Sequence, residues 1–163
     1  MTKGLSSELL KVIRESGFES KREPLLYLAA IINTFLERRG LGRVIIVGGY
    51  AVELYTGGAY RTGDVDVVVE GPIKVVKEAL EMLEPRRGRV WTFRGLARAF
   101  DIVSTSYDKP KAPIPLDVEG VKVYVEPPEE TVISCLNACV YWDSHLDCEK
   151  AAMVMAAQWG RID

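Results

Sequence analysis

Two short runs rich in valine and isoleucine place the strongest constraint on how this chain can fold. Residues 43–47 read Arg-Val-Ile-Ile-Val between glycines, and residues 64–70 read Asp-Val-Asp-Val-Val-Val-Glu before Gly71. Short β-branched runs closed by glycine or proline are typical of strands, and a continuous apolar run is typical of a strand buried on both faces. We therefore predict a central strand at 43–47 and a second strand at 64–70.

The remaining segments alternate between helical spacing and strand-like runs. Helices are predicted at about 7–15, 24–39, 50–56, 73–83, 128–142 and 144–158, and further strands at 90–93, 97–105 and 121–126. Residues 108–115 contain three prolines and are predicted to be a mobile loop. The fold class is α/β (α+β): a mixed sheet of about five strands flanked by helices, with helices at both termini.

The length of 163 residues predicts a single domain. We expect a helical N-terminal part at 1–41, a sheet core at 43–126 and a C-terminal helix pair at 128–159. Ser144 to Asp147 has the form of a capping box at the start of the last helix.

Composition narrows the class of protein. Lys and Arg number 21 against 23 Asp and Glu, a net charge of -2, so no sequence-wide positive field would hold nucleic acid non-specifically. No apolar run reaches the roughly 18 residues of a membrane span and the N-terminus lacks a signal-peptide pattern, so we expect a soluble, cytoplasmic protein. Asn and Gln together occur only three times, a bias that predicts a thermophilic source.

The cysteines are predicted to be structural thiols. Cys135, Cys139 and Cys148 are odd in number and crowded together, which indicates a reducing compartment rather than a disulfide framework. Cys135 and Cys139 lie one helical turn apart on an apolar face, where we expect them to pack as small hydrophobes. Their spacing does not favour a zinc site with His145, for which helix capping is the simpler role.

The chemically distinctive segment begins at Gly48 and ends in the second strand. Asp64 and Asp66 are two residues apart, so a strand presents both carboxylates on one face, where they repel each other. A divalent cation between them would relieve this repulsion, and hard oxygen ligands suit Mg²⁺ or Mn²⁺. Upstream, Gly48-Gly49 lies between a buried strand and a helix N-terminus, a position that favours a triphosphate. Arg61 and Thr62 are placed to donate to the same phosphates.

This order of residues resembles the DNA-polymerase-β-type nucleotidyltransferases. The residues that carry the resemblance are Gly48-Gly49, a short helix, Arg61-Thr62 and then Asp64-Val65-Asp66, as in small prokaryotic members that include toxin–antitoxin nucleotidyltransferases. The resemblance is strong over 44–70, looser over 97–158 and absent over 1–23. Many members have Gly-Ser where this chain has Gly48-Gly49, so backbone amides would have to hold the phosphates without a serine hydroxyl.

The resemblance implies a two-metal transfer of a nucleoside monophosphate from a nucleoside triphosphate to an acceptor hydroxyl. Asp64 and Asp66 would bind Mg²⁺, and a third carboxylate on a neighbouring strand would complete the site and help to deprotonate the acceptor. Asp101 is our choice because it lies in mid-strand among apolar residues, with Asp117 and Glu126 as rivals. The structural alternative for Asp101 is an ion pair with Arg94 or Arg98.

The leading hypothesis is a Mg²⁺-dependent nucleotidyltransferase that modifies a protein or RNA acceptor, as a component of a toxin–antitoxin pair. Its expected partners are the triphosphate, the acceptor and a small helical antitoxin-like protein. A homodimer is also compatible with the sequence. The alternative is a non-catalytic nucleotide-binding or adaptor module with the same fold. No dedicated acceptor-binding domain is evident in the C-terminal half, which motivates this second hypothesis.

Overall fold

A computed structural model describes residues 2–163, so Met1, which begins the predicted helical N-terminal part, lies outside the described residues. Three helices precede or flank the first half of the sheet: α1 (Thr2–Ser16), α2 (Pro24–Arg38) and α3 (Gly48–Tyr55), with a 3₁₀ turn at Phe18–Ser20. The other helices are α4 (Ile73–Leu83), α5 (Pro128–Tyr141) and α6 (His145–Ala157). Within residues 2–163, no helix has both the length and the apolar character that a membrane span requires.

The strands form one mixed sheet. They are β1 (Arg43–Val47), β2 (Asp64–Glu70), β3 (Trp91–Thr92), β4 (Ala99–Ser104), β5 (Ile114–Val118) and β6 (Val121–Val125), in the spatial order β3-β4-β2-β1-β6-β5. β1 pairs antiparallel with β2 and parallel with β6, so the most apolar strand is central, as predicted. β2 and β4 run parallel.

The predicted α/β class is confirmed, and the strand count is six rather than about five. The missing strand is β5, which begins at Ile114, within the last two residues of the proline-rich segment that we predicted as a mobile loop. Pro115 is compatible with a strand here because β5 is at the edge of the sheet and pairs only with β6. The loop is therefore shorter than predicted and ends before Ile114.

The two faces of the sheet are covered differently. Helices α1, α2 and α4 pack on one face, where Val65, Val67 and Val69 of β2 join the main core. The opposite face has a small apolar cluster of Ile45, Val47 and Val68, against which Tyr107 and Tyr124 pack. Because strand residues alternate between faces, Asp64 and Asp66 lie on this second, less covered face.

The C-terminal helices form their own layer at one end of the sheet. Cys135, Ala151 and Val154 of α5 and α6 pack against Val52 of α3 in a separate cluster, and Ser144 caps α6 by accepting a hydrogen bond from the Asp147 amide. The prediction of free thiols is wrong for two of the three cysteines. Cys139 and Cys148 form a disulfide because α5 and α6 bring their Cα atoms to 4.8 Å, while Cys135 is free and buried.

One irregularity in the sheet lies close to the candidate site. In the β2–β4 ladder, Asp66 is opposite Asp101 and Val67 is opposite Ile102, but Val68 is opposite Ser104. Val103 is therefore an extra residue, which is the pattern of a β-bulge.

Candidate active site

Three carboxylates meet on the less covered face of the sheet. Asp64 and Asp66 point to the same side of β2, and the parallel register places Asp101 of β4 directly beside Asp66. One oxygen from each of the three side chains lies within 4.8 Å of the others. Among residues 2–163, no other group of three or more acidic, histidine or cysteine side chains is spaced to hold a metal ion.

The negative charge of this cluster is only partly compensated. Burial raises the pKa of Asp66 to about 6, and the nearby charges of Asp101 and Asp64 add to the shift. Asp101 is 2% exposed; its Oδ2 accepts a hydrogen bond from Arg89 at 3.2 Å, but its buried Oδ1 has no hydrogen-bond partner. Arg89 is itself largely exposed, so solvent screens its charge. An unpartnered carboxylate oxygen beside two further carboxylates fits a hard divalent cation.

The rival carboxylates are elsewhere. Asp117 is exposed on β5, near the far edge of the sheet, and accepts a hydrogen bond from the Gly120 amide. Glu126 is buried beside Gly48 and does not belong to the three-carboxylate cluster. The alternative ion pair for Asp101 was predicted with the wrong arginines, Arg94 or Arg98. Arg98 pairs with Glu53 instead, and the partner of Asp101 is Arg89 in the turn before β3.

Gly48 has the close contact that its sequence position suggests. Its φ is +63°, and a Cβ built on it would lie 2.9 Å from Asp66 Oδ2, so a side chain would displace that carboxylate. Its amide, however, donates to Glu126 Oε2 at 3.1 Å, and the Gly49 amide hydrogen-bonds to Asp66. A phosphate at this helix terminus would therefore have to share or displace these internal carboxylates.

Glu126 is a residue beside the site whose structural role sequence reasoning underestimated. Its Oε1 is 2.5 Å from Lys109 Nζ, its amide donates to the Ile46 carbonyl, and its carbonyl accepts from the Tyr55 hydroxyl. Together with the bond to Gly48, these contacts tie both ends of α3 to the end of β6. The signal in the sequence was a charged residue directly after an apolar strand, followed by two prolines.

A second unexpected pair fixes the segment that carries Arg61 and Thr62. Glu53 accepts two hydrogen bonds from Arg98, both at 2.7 Å, and one from the Thr62 amide at 2.9 Å. Arg98 also donates to the Thr62 carbonyl. Thr62 thereby lies against Gly49, whereas Arg61 is exposed to solvent.

A cavity of about 120 Å³ opens beside the N-terminus of α3. Its walls include Gly48 and Gly49 on one side and Ser134 and Lys150 of the C-terminal helices on the other. The Thr131 hydroxyl, also in this wall, is buried without a hydrogen-bond partner. Lys150 was not singled out from the sequence, because only the packing of α6 against α3 brings it to this place.

Comparisons with known proteins identify the family. The sequence profile of the family described as nucleotidyltransferase of unknown function (DUF6036) matches residues 23–163. Among curated proteins, no significant match to this chain was found.

Solved structures show the same fold at low sequence identity. An antigenic nucleotidyltransferase-like protein from Paracoccidioides brasiliensis is 16% identical, with a TM-score of 0.59, over 83% of this chain and 77% of its own. The antibiotic-resistance factor ANT(2'')-Ia, studied in solution, is 16% identical with a TM-score of 0.50 over 84% of each chain. A crystal structure of ANT(2'')-Ia with adenylyl-2''-tobramycin is 17% identical with a TM-score of 0.50, over 84% of this chain and 90% of that one. With the family profile covering most of its length, this chain belongs to the DUF6036 nucleotidyltransferase family.

Proposed function

We propose that the protein is a Mg²⁺-dependent nucleotidyltransferase that moves a nucleoside monophosphate from a nucleoside triphosphate to a hydroxyl of a protein or RNA acceptor. The observation that carries the proposal is the cluster of Asp64, Asp66 and Asp101, with its unpartnered buried oxygen. Family membership supports the transfer of a nucleotide in general. Mn²⁺ is the alternative ion because it accepts the same oxygen ligands.

The three carboxylates share one role in this proposal, and Asp101 has a second. Asp64, Asp66 and Asp101 would hold Mg²⁺, which when bound would offset charge on the phosphates. Asp101 would also help to deprotonate the acceptor hydroxyl by accepting its proton. In the transfer, the acceptor oxygen bonds to the α-phosphorus, the bond from that phosphorus to the β-bridging oxygen breaks, and pyrophosphate leaves.

The phosphates would bind near the N-terminus of α3. Gly48 and Gly49 allow close approach there, Thr62 lies against Gly49, and Arg61 is free to reach in from solvent. Lys150, in the wall of the adjacent cavity, is a further cation at the same end of the helix. The Glu126 carboxylate limits how deeply an anion enters, because it already accepts from Gly48.

The biological setting proposed here follows the resemblance of the motif. We propose a cytoplasmic component of a toxin–antitoxin pair, with a small helical protein as its partner, from a thermophilic source. The net charge of -2 argues for one specific acceptor rather than broad affinity for nucleic acid.

The test is incubation with each labelled nucleoside triphosphate and Mg²⁺ or Mn²⁺, alone and with cell extract. The wild-type protein should transfer label and release pyrophosphate, whereas Asp64→Ala combined with Asp66→Ala should do neither. Asp117→Ala is the matched control, because this exposed aspartate lies outside the cluster and should leave transfer unchanged. Equal labelling by all proteins, or none, would contradict the proposal. Nucleotide binding without pyrophosphate release would support the adaptor hypothesis instead.

A further inference from the structure

The exposed apolar residues of this protein are distributed unevenly. Among the described residues, eight of the twelve large hydrophobic side chains that are exposed lie between positions 133 and 159, in the C-terminal helix pair. Monomeric proteins rarely expose a contiguous apolar patch of more than a few hundred Å². This concentration therefore indicates a surface that another molecule covers.

The largest group lies along the outer side of α5, in the turn after it and at the start of α6. We define the α5 seam as six exposed side chains: Ile133, Leu136, Val140, Tyr141, Trp142 and Leu146. The first three are spaced three and four residues apart, which places them in one line on a helix, as in the core positions of a coiled coil. The inner side of the same helix, which includes Val132 and Cys135, is buried against α3 and α6.

The seam has no charge of its own. From position 131 to position 142 the sequence contains no Asp, Glu, Lys or Arg. A membrane surface is a poor match for it, because peripheral membrane helices carry basic residues beside their apolar face. Here the exposed charged residue that directly follows α5 is the acidic Asp143.

We propose that the α5 seam is the interface of a symmetric homodimer in which two copies of α5 pack antiparallel. A second copy supplies an uncharged apolar stripe of the same length. The antiparallel order also keeps the two Asp143 side chains apart, whereas a parallel order would place them side by side.

The size of the surface agrees with this occupant. Tyr141 is 79% and Trp142 82% exposed, so together they offer about 300 Å² per copy, given the roughly 150–250 Å² that an aromatic side chain buries. Two copies double this area, and the four aliphatic side chains bring the total toward the ~1,000 Å² that a specific interface requires. In the antiparallel arrangement, Val140 is at the middle of the seam, which runs from position 133 to position 146, and contacts its own symmetry mate.

Analytical ultracentrifugation of the oxidised 163-residue chain tests the proposal. The wild-type protein should sediment with twice its 18.1-kDa mass at about 100 μM. Val140→Glu and, separately, Val140→Lys should each raise the dissociation constant by about 100-fold, because the two-fold axis brings like charges together. An equimolar mixture of the two variants should restore the dimer.

Two controls distinguish the loss of the dimer contact from the loss of the folded structure. Met82→Glu, at a 46% exposed position on α4, should remain dimeric, and circular dichroism should show that all variants are folded. Ile133→Lys probes one end of the seam if a Val140 variant does not fold. A monomeric wild-type protein, an undisturbed Val140→Glu dimer, or a mixture that stays monomeric would each overturn the proposal. The measurement involves no nucleotide, so its failure would leave the proposed function standing.

Discussion

Two groups of carboxylates near α3 are held in opposite ways. Glu53 and Glu126 are buried and each has a basic partner, Arg98 and Lys109 respectively, together with a backbone amide donor. Asp66 and Asp101 are crowded against each other and against Asp64, with the exposed Arg89 as the only ion-pair partner among the described residues. The paired carboxylates stabilise the fold, whereas the three clustered carboxylates repel each other, and a bound cation would relieve this repulsion.

The largest expected effect comes from removing the arginine that pairs with the buried Glu53. Arg98→Met leaves the buried Glu53 carboxylate uncompensated and should lower the free energy of unfolding by about 3–5 kcal/mol. Arg94→Met, at an exposed position four residues earlier, should change it by less than about 0.5 kcal/mol. Urea unfolding of the two variants measures the difference. Equal values would show that the Glu53–Arg98 pair does not hold the Thr62 segment.

A divalent cation should change the stability only through the cluster of Asp64, Asp66 and Asp101. Mg²⁺ at about 100 times its dissociation constant should raise the free energy of unfolding by about 2.7 kcal/mol. Asp66→Asn should abolish this gain and, without metal, raise the melting temperature, because it removes one of three repelling charges. Calorimetric melts with Mg²⁺ and with a chelator measure both effects. An Asp66→Asn protein that is less stable than wild type without metal would contradict the repulsion among the three carboxylates.

Gly48 contacts a carboxylate of each group, Glu126 and Asp66, so adding a single methyl group there should lower the stability. Gly48→Ala should cost about 2–3 kcal/mol of stability and reduce Mg²⁺ binding, because the new Cβ would press on Asp66. Gly57→Ala is the matched control: its φ is +61°, but a Cβ there meets nothing within 4 Å, so only the backbone cost of about 1 kcal/mol remains. Thermal melts and Mg²⁺ titrations of both variants test this difference.

The smallest effect is a pH dependence of the Glu53 pair. Burial alone would raise the pKa of Glu53, but hydrogen bonds from Arg98 and the Thr62 amide hold the pKa below its usual 4.5. Because the folded pKa is lowered, the stabilisation is complete above about pH 4.5 and is lost as the pH falls through the folded pKa.

The stability difference between wild type and Glu53→Gln should therefore be constant from about pH 8 to 5 and shrink below about pH 4.5. Chemical unfolding at a series of pH values measures it. Glu19→Gln, at an exposed position, should show no such change. A difference that grew in acid would contradict the assigned ion pair.

Local patterns in the sequence were sufficient to predict most of the architecture. The runs at 43–47 and 64–70 became β1 and β2 with the predicted bounds, and the spacing of apolar residues located α4 at Ile73–Leu83. β5 was missed because Pro113 and Pro115 signal a loop, and only the edge position of the strand makes Pro115 acceptable. The Cys139–Cys148 disulfide depends on how α5 and α6 pack, which cysteine count and spacing do not reveal.

The candidate site was predictable where the local sequence around each residue marks it. Asp64 and Asp66 share a strand face by their spacing, and Asp101 was identified as a charge in mid-strand. The partners Glu53–Arg98 and Lys109–Glu126 are 45 and 17 residues apart, and nothing in the local sequence links them. The register that places Asp101 beside Asp66 likewise exists only in the assembled sheet.

The bulge at Val103 determines where the length of β4 can change. Every residue of β4 before the bulge keeps strict register with β2, so deleting one residue between Ala99 and Asp101 would turn the carboxylate toward the helix-covered face. After Asp101 the ladder already accommodates one unpaired residue, and removing Val103 would only restore regular pairing. Single-residue deletions should therefore be tolerated on one side of Asp101 and not on the other, which divides the strand into a segment of fixed length and a segment of adjustable length.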